Sequence, residues 1–551
     1  MYRHVTVTSA LLSGAVVGAF AQVETDRAQR IDAIFGSLTK PGSPGAVIAV
    51  IEHGKLVYQK GYGLANLEYN IPIRPDTIFD AASVSKQFTA MAVVLLESDG
   101  KLSIDDDVRK YLPELPDYGH RITLRNLLQH TSGIRDDMQT LTIAGWSMED
   151  VITQEQRLRM LFRQKELNFP PGSQYMYSNS GYTLLAEIVY RVSGKELPEF
   201  CDERIFRPLS MAHTNFHQNL HRIVPGRADS YGFVDGVGFV NLPLNVASVG
   251  ATGVFTTAAD LVKWLDNFRE PKVGGPKAIA RMQEQCVLTN GQKTNFGLGV
   301  VIEPFRGLKT ISHDGSEAGY RSTVWWFPDQ ELGVAVLSNL ASFDQEHAAG
   351  KIAELFLAGK MTDPPPQPTR TFVALGTSAL RPFAGLYPLP GQVVEINIDR
   401  EKLWLSAGDS PVFEMKALAP NHFYVDEVQA DVEFIAKANG GMTANIKQAG
   451  VVSVADRELR QPLAGADLND YAGVYWSEEL ETQYTIRVRD GKLFAVHAHH
   501  GEFELTPLIK DQFKSSMYFF TKLKFLRDEK GKVNALTVSL ERVTAVRFDK
   551  K

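Results

Sequence analysis

Ala82-Ser83-Val84-Ser85-Lys86 lies where an extended segment ending in Thr77-Ile78-Phe79 gives way to a helical pattern from Val84 to Glu97. A serine at the start of a helix and a lysine three residues later share one face, because residues three apart are neighbours on a helix surface. The pattern continues through Phe88, Met91, Ala92, Leu95 and Leu96 to a stop near Gly100, so Lys86 leaves the axis between apolar positions. Partial desolvation makes an amine a better proton acceptor. The helix N-terminus also offers backbone N–H groups to developing negative charge. The stretch therefore predicts an activated serine nucleophile. A helix cap followed by a first-turn surface lysine is spelled the same way, so the reading depends on what else the chain carries.

Length and composition set the frame. A chain of 551 residues exceeds what one hydrophobic core organises, and two or three domains are expected. With 44% apolar and 22% charged residues, a net charge of -6 and a pI near 6.1, nothing marks disorder or a basic surface, and no nucleic-acid partner is expected. Met1-Tyr2-Arg3-His4, an uncharged run from Val5 to Phe20, and Ala19-Phe20-Ala21 before Gln22 have the layout of a signal peptide cleaved after Ala21. The expectation is a secreted or periplasmic protein. No later stretch is long and apolar enough to span a bilayer, so no stable membrane insertion is expected after cleavage. Cys201 and Cys286 are the only cysteines. A bridge between them and two free thiols are both open, with a buried free thiol the default for Cys201.

Before the nucleophile, Ile31, Ile34, Phe35 and Leu38 have helical spacing, and Gly45 to Ile51 with Leu56 to Tyr62 read as a hairpin. After it, Leu102 to Leu112 reads as another helix, with Asp105-Asp106-Asp107 as charge at its start rather than a metal site. His130, in Gln129-His130-Thr131-Ser132-Gly133, is read as a hydrogen-bonded turn histidine in preference to a catalytic base. Tyr175-Met176-Tyr177-Ser178-Asn179 delivers a phenol and an amide just before a helix, Tyr182 to Val192. A phenol can act as general base, and an asparagine can hold a carbonyl. Asn219 to Gly250 suits a loop region, and Leu261 to Phe268 a helix. Strands are expected over Gly297 to Ile302, Thr310 to Ser312, Ser322 to Phe327 and Leu332 to Leu340, then a helix from Asp344 to Leu357. Asp363-Pro364-Pro365-Pro366-Gln367-Pro368, within a linker over 361–372, is the clearest boundary.

Beyond the linker the chain repeats itself. Leu380-Arg381-Pro382-Phe383-Ala384-Gly385-Leu386-Tyr387 corresponds to Leu468-Asn469-Asp470-Tyr471-Ala472-Gly473-Val474-Tyr475, and Lys402-Leu403-Trp404 to Lys492-Leu493-Phe494. An offset of about 90 residues marks two copies of one all-β unit. Closure into two small barrels, 373–462 and 463–551, removes their exposed edges. His497, His499 and His500 are expected on a solvated strand or loop, without a metal.

Ser83-Val84-Ser85-Lys86, Tyr177-Ser178-Asn179 and His313-Asp314-Gly315 occur in the order that resembles the serine β-lactamase-related family. That family holds class C β-lactamases, DD-carboxypeptidases, D-aminopeptidases and esterases. The resemblance spans Glu24 to Leu357 within a catalytic region over 22–360, and Leu127 to Gly133 and Ala251 to Asp260 also match family segments. It implies an α+β fold: an antiparallel sheet flanked by helices, plus an all-helical region, with the site in the cleft. It further implies Ser83 as acylated nucleophile, Lys86 as its activator, Tyr177 as proton shuttle and His313 as third-motif catalytic residue. Asn179 would hold the substrate, Gly315 and Ser316 would line the site, and the N–H groups of Ser83 and Ser316 would form the oxyanion hole. No metal or cofactor is implied.

β-Lactamases usually carry Lys-Thr-Gly where this chain has His313-Asp314-Gly315. A carboxylate in the threonine's place repels an anionic substrate terminus, so penicillins and C-terminal D-Ala-D-Ala are poor candidates. Two C-terminal barrels resemble the layout of D-aminopeptidases. That resemblance implies an acidic environment for an α-ammonium, supplied by Asp314 or Glu317. The leading substrates are small D-aminoacyl amides or short peptides. An esterase and a non-catalytic sensor are the alternatives. The barrels suit ligand binding, homodimer formation or shielding of the cleft.

Overall fold

The computed structural model describes residues 26–551 apart from Met148, 363–369, 390–391, 408–411, 439, 449–450 and 460–464. The stretch expected to be a signal peptide and most of the expected proline-rich linker lie outside the described residues. Two compact units are formed. The first takes the described residues of Met1–Gly133, Met148–Leu158 and Phe169–Pro364, and the second those of Ile134–Ser147, Arg159–Asn168 and Pro365–Lys551.

The first unit is built on a six-stranded antiparallel sheet. Its strands are β1 (Ala46–Glu52), β2 (Lys55–Tyr62), β3 (Val301–Phe305), β4 (Leu308–Glu317), β5 (Tyr320–Phe327) and β6 (Leu332–Ser338), in the order β3-β4-β5-β6-β1-β2. The central β1 and β6 are continuous apolar runs because both of their faces are covered. Ile48, Val50, Val334 and Val336 share a core with Ile31 and Phe35 of the N-terminal segment and with Ile352. On the other face Leu265 closes over Gly333, where an added Cβ would lie 3.1 Å from its Cδ1. The helices that bear on the site are α1 (Ser85–Ser98), α2 (Asn179–Ser193), α3 (Ala258–Arg269) and α4 (Gln345–Phe356). Helix α1 is buried continuously from Ser85 to Leu96, the mark of a helix inside a domain rather than on its surface.

Two expected elements are corrected. Leu102 to Leu112 does not form a helix. Asp107 instead caps a single tight turn, Val108–Lys110, by accepting the Arg109 N–H, and Asp106 accepts from Tyr111 Oη at 2.5 Å. The acidic triplet is spent on local turns. Gly297 to Val300 is not strand. Gly299 takes a φ of 71° and packs against the Lys86 carbonyl, so β3 starts only at Val301. The expected loop from Asn219 to Gly250 contains a short hairpin, Tyr231–Val234 with Gly238–Asn241.

In the second unit each repeat is an eight-stranded antiparallel meander. The first closes through Leu386 and Glu458, which exchange backbone hydrogen bonds of 2.9 and 2.7 Å. The second closes by pairing Tyr475 with Lys550. The repeat is visible in side-chain detail: Tyr387 Oη donates to Phe383 O at 2.8 Å, and Tyr475 Oη donates to Tyr471 O at 2.7 Å. The helix Asp137–Ile143 also belongs here. Ile143 is part of the second barrel's core, and its carbonyl accepts from Tyr484 Oη at 3.0 Å. Buried Arg135 donates to buried Glu479 at 2.7 Å.

Of the histidine trio, His499 and His500 lie in a turn with His499 exposed, as expected, and His497 differs. His497 is buried in the second barrel, bonded through Nε2 to Thr482 Oγ1 at 2.8 Å, while its Nδ1 accepts the His499 N–H at 3.2 Å. Burial pushes its pKa down to about 4, so it is a neutral structural group. Cys201 and Cys286 are both buried free thiols. Among the described residues no helix is long and apolar enough to cross a membrane.

Candidate active site

The short strand Phe79–Asp80 leads into a tight turn, Ala82–Val84, and then α1. Ala82 has a φ of 45°, the left-handed region that costs a residue with a Cβ. Its N–H donates to Asp80 Oδ1 at 2.5 Å, which holds the turn in that conformation. Strand β4 approaches the turn so closely that only glycine fits at Gly315. A Cβ there would lie 2.6 Å from Ala81 O and 2.9 Å from Ser83 N. Ser322, opposite Gly315 on β5, clamps the same turn by donating from Oγ to Ala81 O at 2.7 Å.

One helical turn on, Lys86 is buried and its Nζ donates in three directions. The acceptors are Ser83 Oγ at 3.0 Å, Asn179 Oδ1 at 2.9 Å and Ala251 O at 2.8 Å. Two of these are carbonyl oxygens that can only accept, whereas the Ser83 hydroxyl can also give up a proton. Asn179 is the first residue of α2, and its side chain is oriented by the Lys86 contact. The Lys86 ammonium also lies 4.8 Å from the centre of the Tyr177 ring.

His130 is structural. Its Nδ1 accepts the Ser178 N–H at 3.2 Å and its carbonyl accepts the Met176 N–H at 2.9 Å, so it fixes the backbone on both sides of Tyr177. Its ring lies 4.3 Å from that of Tyr177.

His313 sits on β4 two residues before Gly315, on the face toward Ser83. Its Nδ1 lies 2.6 Å from the Asp314 carbonyl. A carbonyl only accepts, so Nδ1 carries the proton and Nε2 carries the lone pair. Nε2 is buried with no hydrogen-bond partner among the described residues. Burial pushes the His313 pKa down to about 4, with the Lys86 charge acting in the same sense. The third motif thus presents a neutral acceptor where a lysine would present a cation.

Strand alternation separates the two acidic candidates. Asp314 pairs with Thr323 and shares the face of Trp325, which packs against α4 at Gly350. Consistently, its charge helps burial to raise the Glu346 pKa on α4. Asp314 is therefore directed away from Ser83, which corrects its placement among the substrate-binding residues. Glu317 is on the Ser83 face with His313 and Gly315 and accepts a hydrogen bond from Thr252 Oγ1. Burial raises its pKa, and burial with the Glu317 charge raises that of fully buried Asp80 well above the carboxylate range. Ser316, like Asp314, directs its side chain to the other face, so only its backbone is placed toward the site. Arg321 is spent on the β4–β5 turn, donating from Nη1 to the carbonyls of Tyr320 at 2.7 Å and Ala318 at 3.2 Å. Beyond the last β3 pair, Val301 with Ser312, β4 has one unpaired edge from His313 to Glu317 among the described residues. Such an edge can receive an extended substrate.

Asp80, Ala251, Thr252 and Glu317 complete the surroundings of Ser83 and Lys86, and sequence reasoning assigned no role to the first three. The one signal was adjacency: Asp80 precedes the nucleophile turn, and Ala251 opens a segment already singled out. Among the described residues no cluster of His, Cys, Asp and Glu is arranged to hold a metal ion.

The Beta-lactamase family profile matches residues 23–358, and a second profile, Domain of unknown function (DUF3471), matches residues 457–550. Penicillin-binding protein 4* of Bacillus subtilis is 27% identical over 437 residues, which cover 75% of this chain and 94% of that protein. A D-aminopeptidase of Brucella anthropi is 27% identical over 522 residues, covering 90% of this chain and 93% of its own length. In fold, the octameric penicillin-binding protein homologue from Pyrococcus abyssi superposes with a TM-score of 0.56 at 22% identity, covering 88% of this chain and 99% of the other.

Proposed function

The chain belongs to the beta-lactamase family of serine hydrolases, and from that premise we propose an exported enzyme that cleaves D-aminoacyl amides and short peptides with a free amino end. The contacts of Lys86 carry the reading, because Asn179 Oδ1 and the Ala251 carbonyl hold Nζ as acceptors beside Ser83 Oγ, the hydroxyl that has a proton to give. In its neutral form Lys86 takes the Ser83 proton as Oγ bonds to the substrate carbonyl carbon. The oxyanion is held by the N–H groups of Ser83 and Ser316. Asn179 holds Lys86 in place beside the reacting bond by accepting from Nζ through Oδ1. Tyr177 gives its phenolic proton to the leaving nitrogen as the C–N bond breaks, and Lys86 returns the Ser83 proton to Tyr177. Water then hydrolyses the acyl ester by the same route in reverse, and Ser83 regains its proton.

The charge of the site supports an amine over a carboxylate. His313 is neutral, Arg321 is turned to backbone carbonyls, and Glu317 is a carboxyl group on the Ser83 side, whereas fully buried Asp80, with its pKa raised well above the carboxylate range, adds no negative charge. That field favours a cationic substrate end. Similarity to D-aminopeptidases over most of both chains supports the same class.

The test is the rate on D-alanine p-nitroanilide against its N-acetyl derivative and p-nitrophenyl butyrate, with Ser83→Ala as control. Preference for the free amine is expected, by tenfold or more. Equal rates on the acetylated anilide, or turnover of the butyrate ester alone, would refute the amine reading and leave an esterase.

A further inference from the structure

Residues 250–254 form a strap bound at every position. Gly250 O accepts from Thr89 Oγ1 at 2.8 Å, Ala251 O from Lys86 Nζ at 2.8 Å, and Gly253 O from the His217 N–H at 2.7 Å. The Val254 N–H donates to Ser85 Oγ at 3.0 Å, and Val254 O accepts from the Ala81 N–H at 2.8 Å. Most of these partners belong to α1 or the turn before it. Thr252 is different: its side chain donates to Glu317 and so ties the strap to β4. Gly250 and Gly253 flank it with φ of 106° and 94°, conformations that favour glycine, and a Cβ at Gly250 would lie 2.3 Å from Tyr182 O.

Glu317 is thus one bond and one residue away from the carbonyl on which Lys86 rests. Even half-buried, a carboxylate here calls for a reason, because its desolvation is costly unless it is compensated. The charges that compensate it are Arg157 and Lys86, while Asp80, a second acid, opposes it. Arg157 is itself buried and donates to Ser248 Oγ at 2.5 Å, just before the strap. The groups around Lys86 are Ser83 on its own turn, Asn179 and Tyr182 from α2, Tyr177, the Ala251 carbonyl, and His313 and Glu317 from β4.

We propose that Glu317 is a positioning residue for Lys86: by receiving the Thr252 hydroxyl it fixes the Ala251 carbonyl against Nζ, and its carboxylate governs how readily Lys86 takes the Ser83 proton. The inference rests on Lys86 being the proton acceptor. It is independent of which amide or ester the enzyme cleaves. Two consequences separate it from a merely structural role. Glu317→Gln keeps an acceptor for Thr252 but removes the negative charge, and an ammonium relieved of a nearby anion releases its proton more readily. Thr252→Val keeps the charge but removes the tie.

The measurement is the rate at which a fluorophosphonate labels Ser83 in the full chain, followed by intact mass from pH 4 to 9. Glu317→Gln is expected to move the acid limb of that profile down by about one pH unit, so that labelling below the limb, relative to the plateau, rises up to about tenfold. Thr252→Val is expected to slow labelling by about tenfold at every pH without moving the limb, and Thr252→Ser to recover most of that loss. An unmoved limb in a folded Glu317→Gln protein overturns the inference, as does full-rate labelling of Thr252→Val. Wild-type protein that is not labelled at all removes Lys86 as proton acceptor and the inference with it. A labelled wild-type protein that ignores D-alanine p-nitroanilide refutes only the substrate reading.

Discussion

Replacing Gly315 by alanine tests the geometry of the nucleophile most directly. The added methyl would meet Ser322 Oγ at 2.3 Å, Ala81 O at 2.6 Å and Ser83 N at 2.9 Å. The serine hydroxyl can rotate away, but the two backbone atoms cannot move without carrying the turn with them. Taking Ala81 O from 2.6 Å to the 3.4 Å of ordinary contact requires a movement of about 0.8 Å between β4 and the Ala82–Val84 turn. The turn is tied to Asp80, Ser322 and the 250–254 strap, so much of that movement reaches Ser83. A displacement of about 1 Å in a catalytic group costs roughly 10²-fold in rate, equivalent to about 2.7 kcal/mol of barrier. Overpacking adds a stability cost of about 1–3 kcal/mol. The assay is kcat/KM on an activated anilide or ester, with fluorophosphonate labelling as a substrate-independent check and a thermal melt to show that the variant is folded. A folded Gly315→Ala protein retaining more than a third of wild-type kcat/KM would show that the turn yields freely, and would refute the claim that β4 fixes Ser83.

Other expectations follow from the same structure. Tyr177→Phe keeps the ring against His130 while removing the phenolic proton, so the melt should be unchanged and turnover should fall by about 10²-fold or more; full turnover would remove Tyr177 from proton transfer. His313 is held neutral with a pKa near 4 against an ordinary 6.5, so the unfolded chain binds the extra proton between those values. Stability should therefore fall as the pH drops from about 6.5 to 4, with up to about 3 kcal/mol of that loss due to this residue. His313→Asn should flatten the decline measured by denaturant unfolding, and an unchanged slope would contradict the burial argument. Ile143→Ala opens a cavity in the second barrel's core and should cost about 2–5 kcal/mol in the unfolding of that unit; a loss below 1 kcal/mol would mean that the Asp137–Ile143 helix does not complete that core.

Local pattern was enough for the elements whose reasons are local. Apolar runs announced β1 and β6, because a strand covered on both faces admits nothing polar. The spacing of Ser83 and Lys86 announced a shared helix face, because residues three apart on a helix have no alternative. Leu380 to Tyr387 and Leu468 to Tyr475 announced a repeated β unit, and the tyrosine of each copy makes the same bond to a carbonyl four residues back. Other facts depended on contacts between residues far apart in the chain. The Leu102 to Leu112 helix failed because its acids found nearer donors. Asp314 and Glu317 were indistinguishable as letters and were separated by strand alternation once the register with β5 was known. Ile143 carries no sign that its helix completes the core of a barrel formed hundreds of residues later. The state of His313 and the charge beside Lys86 likewise follow from burial and from partners on β4 and the 250–254 strap, which only the folded chain brings together.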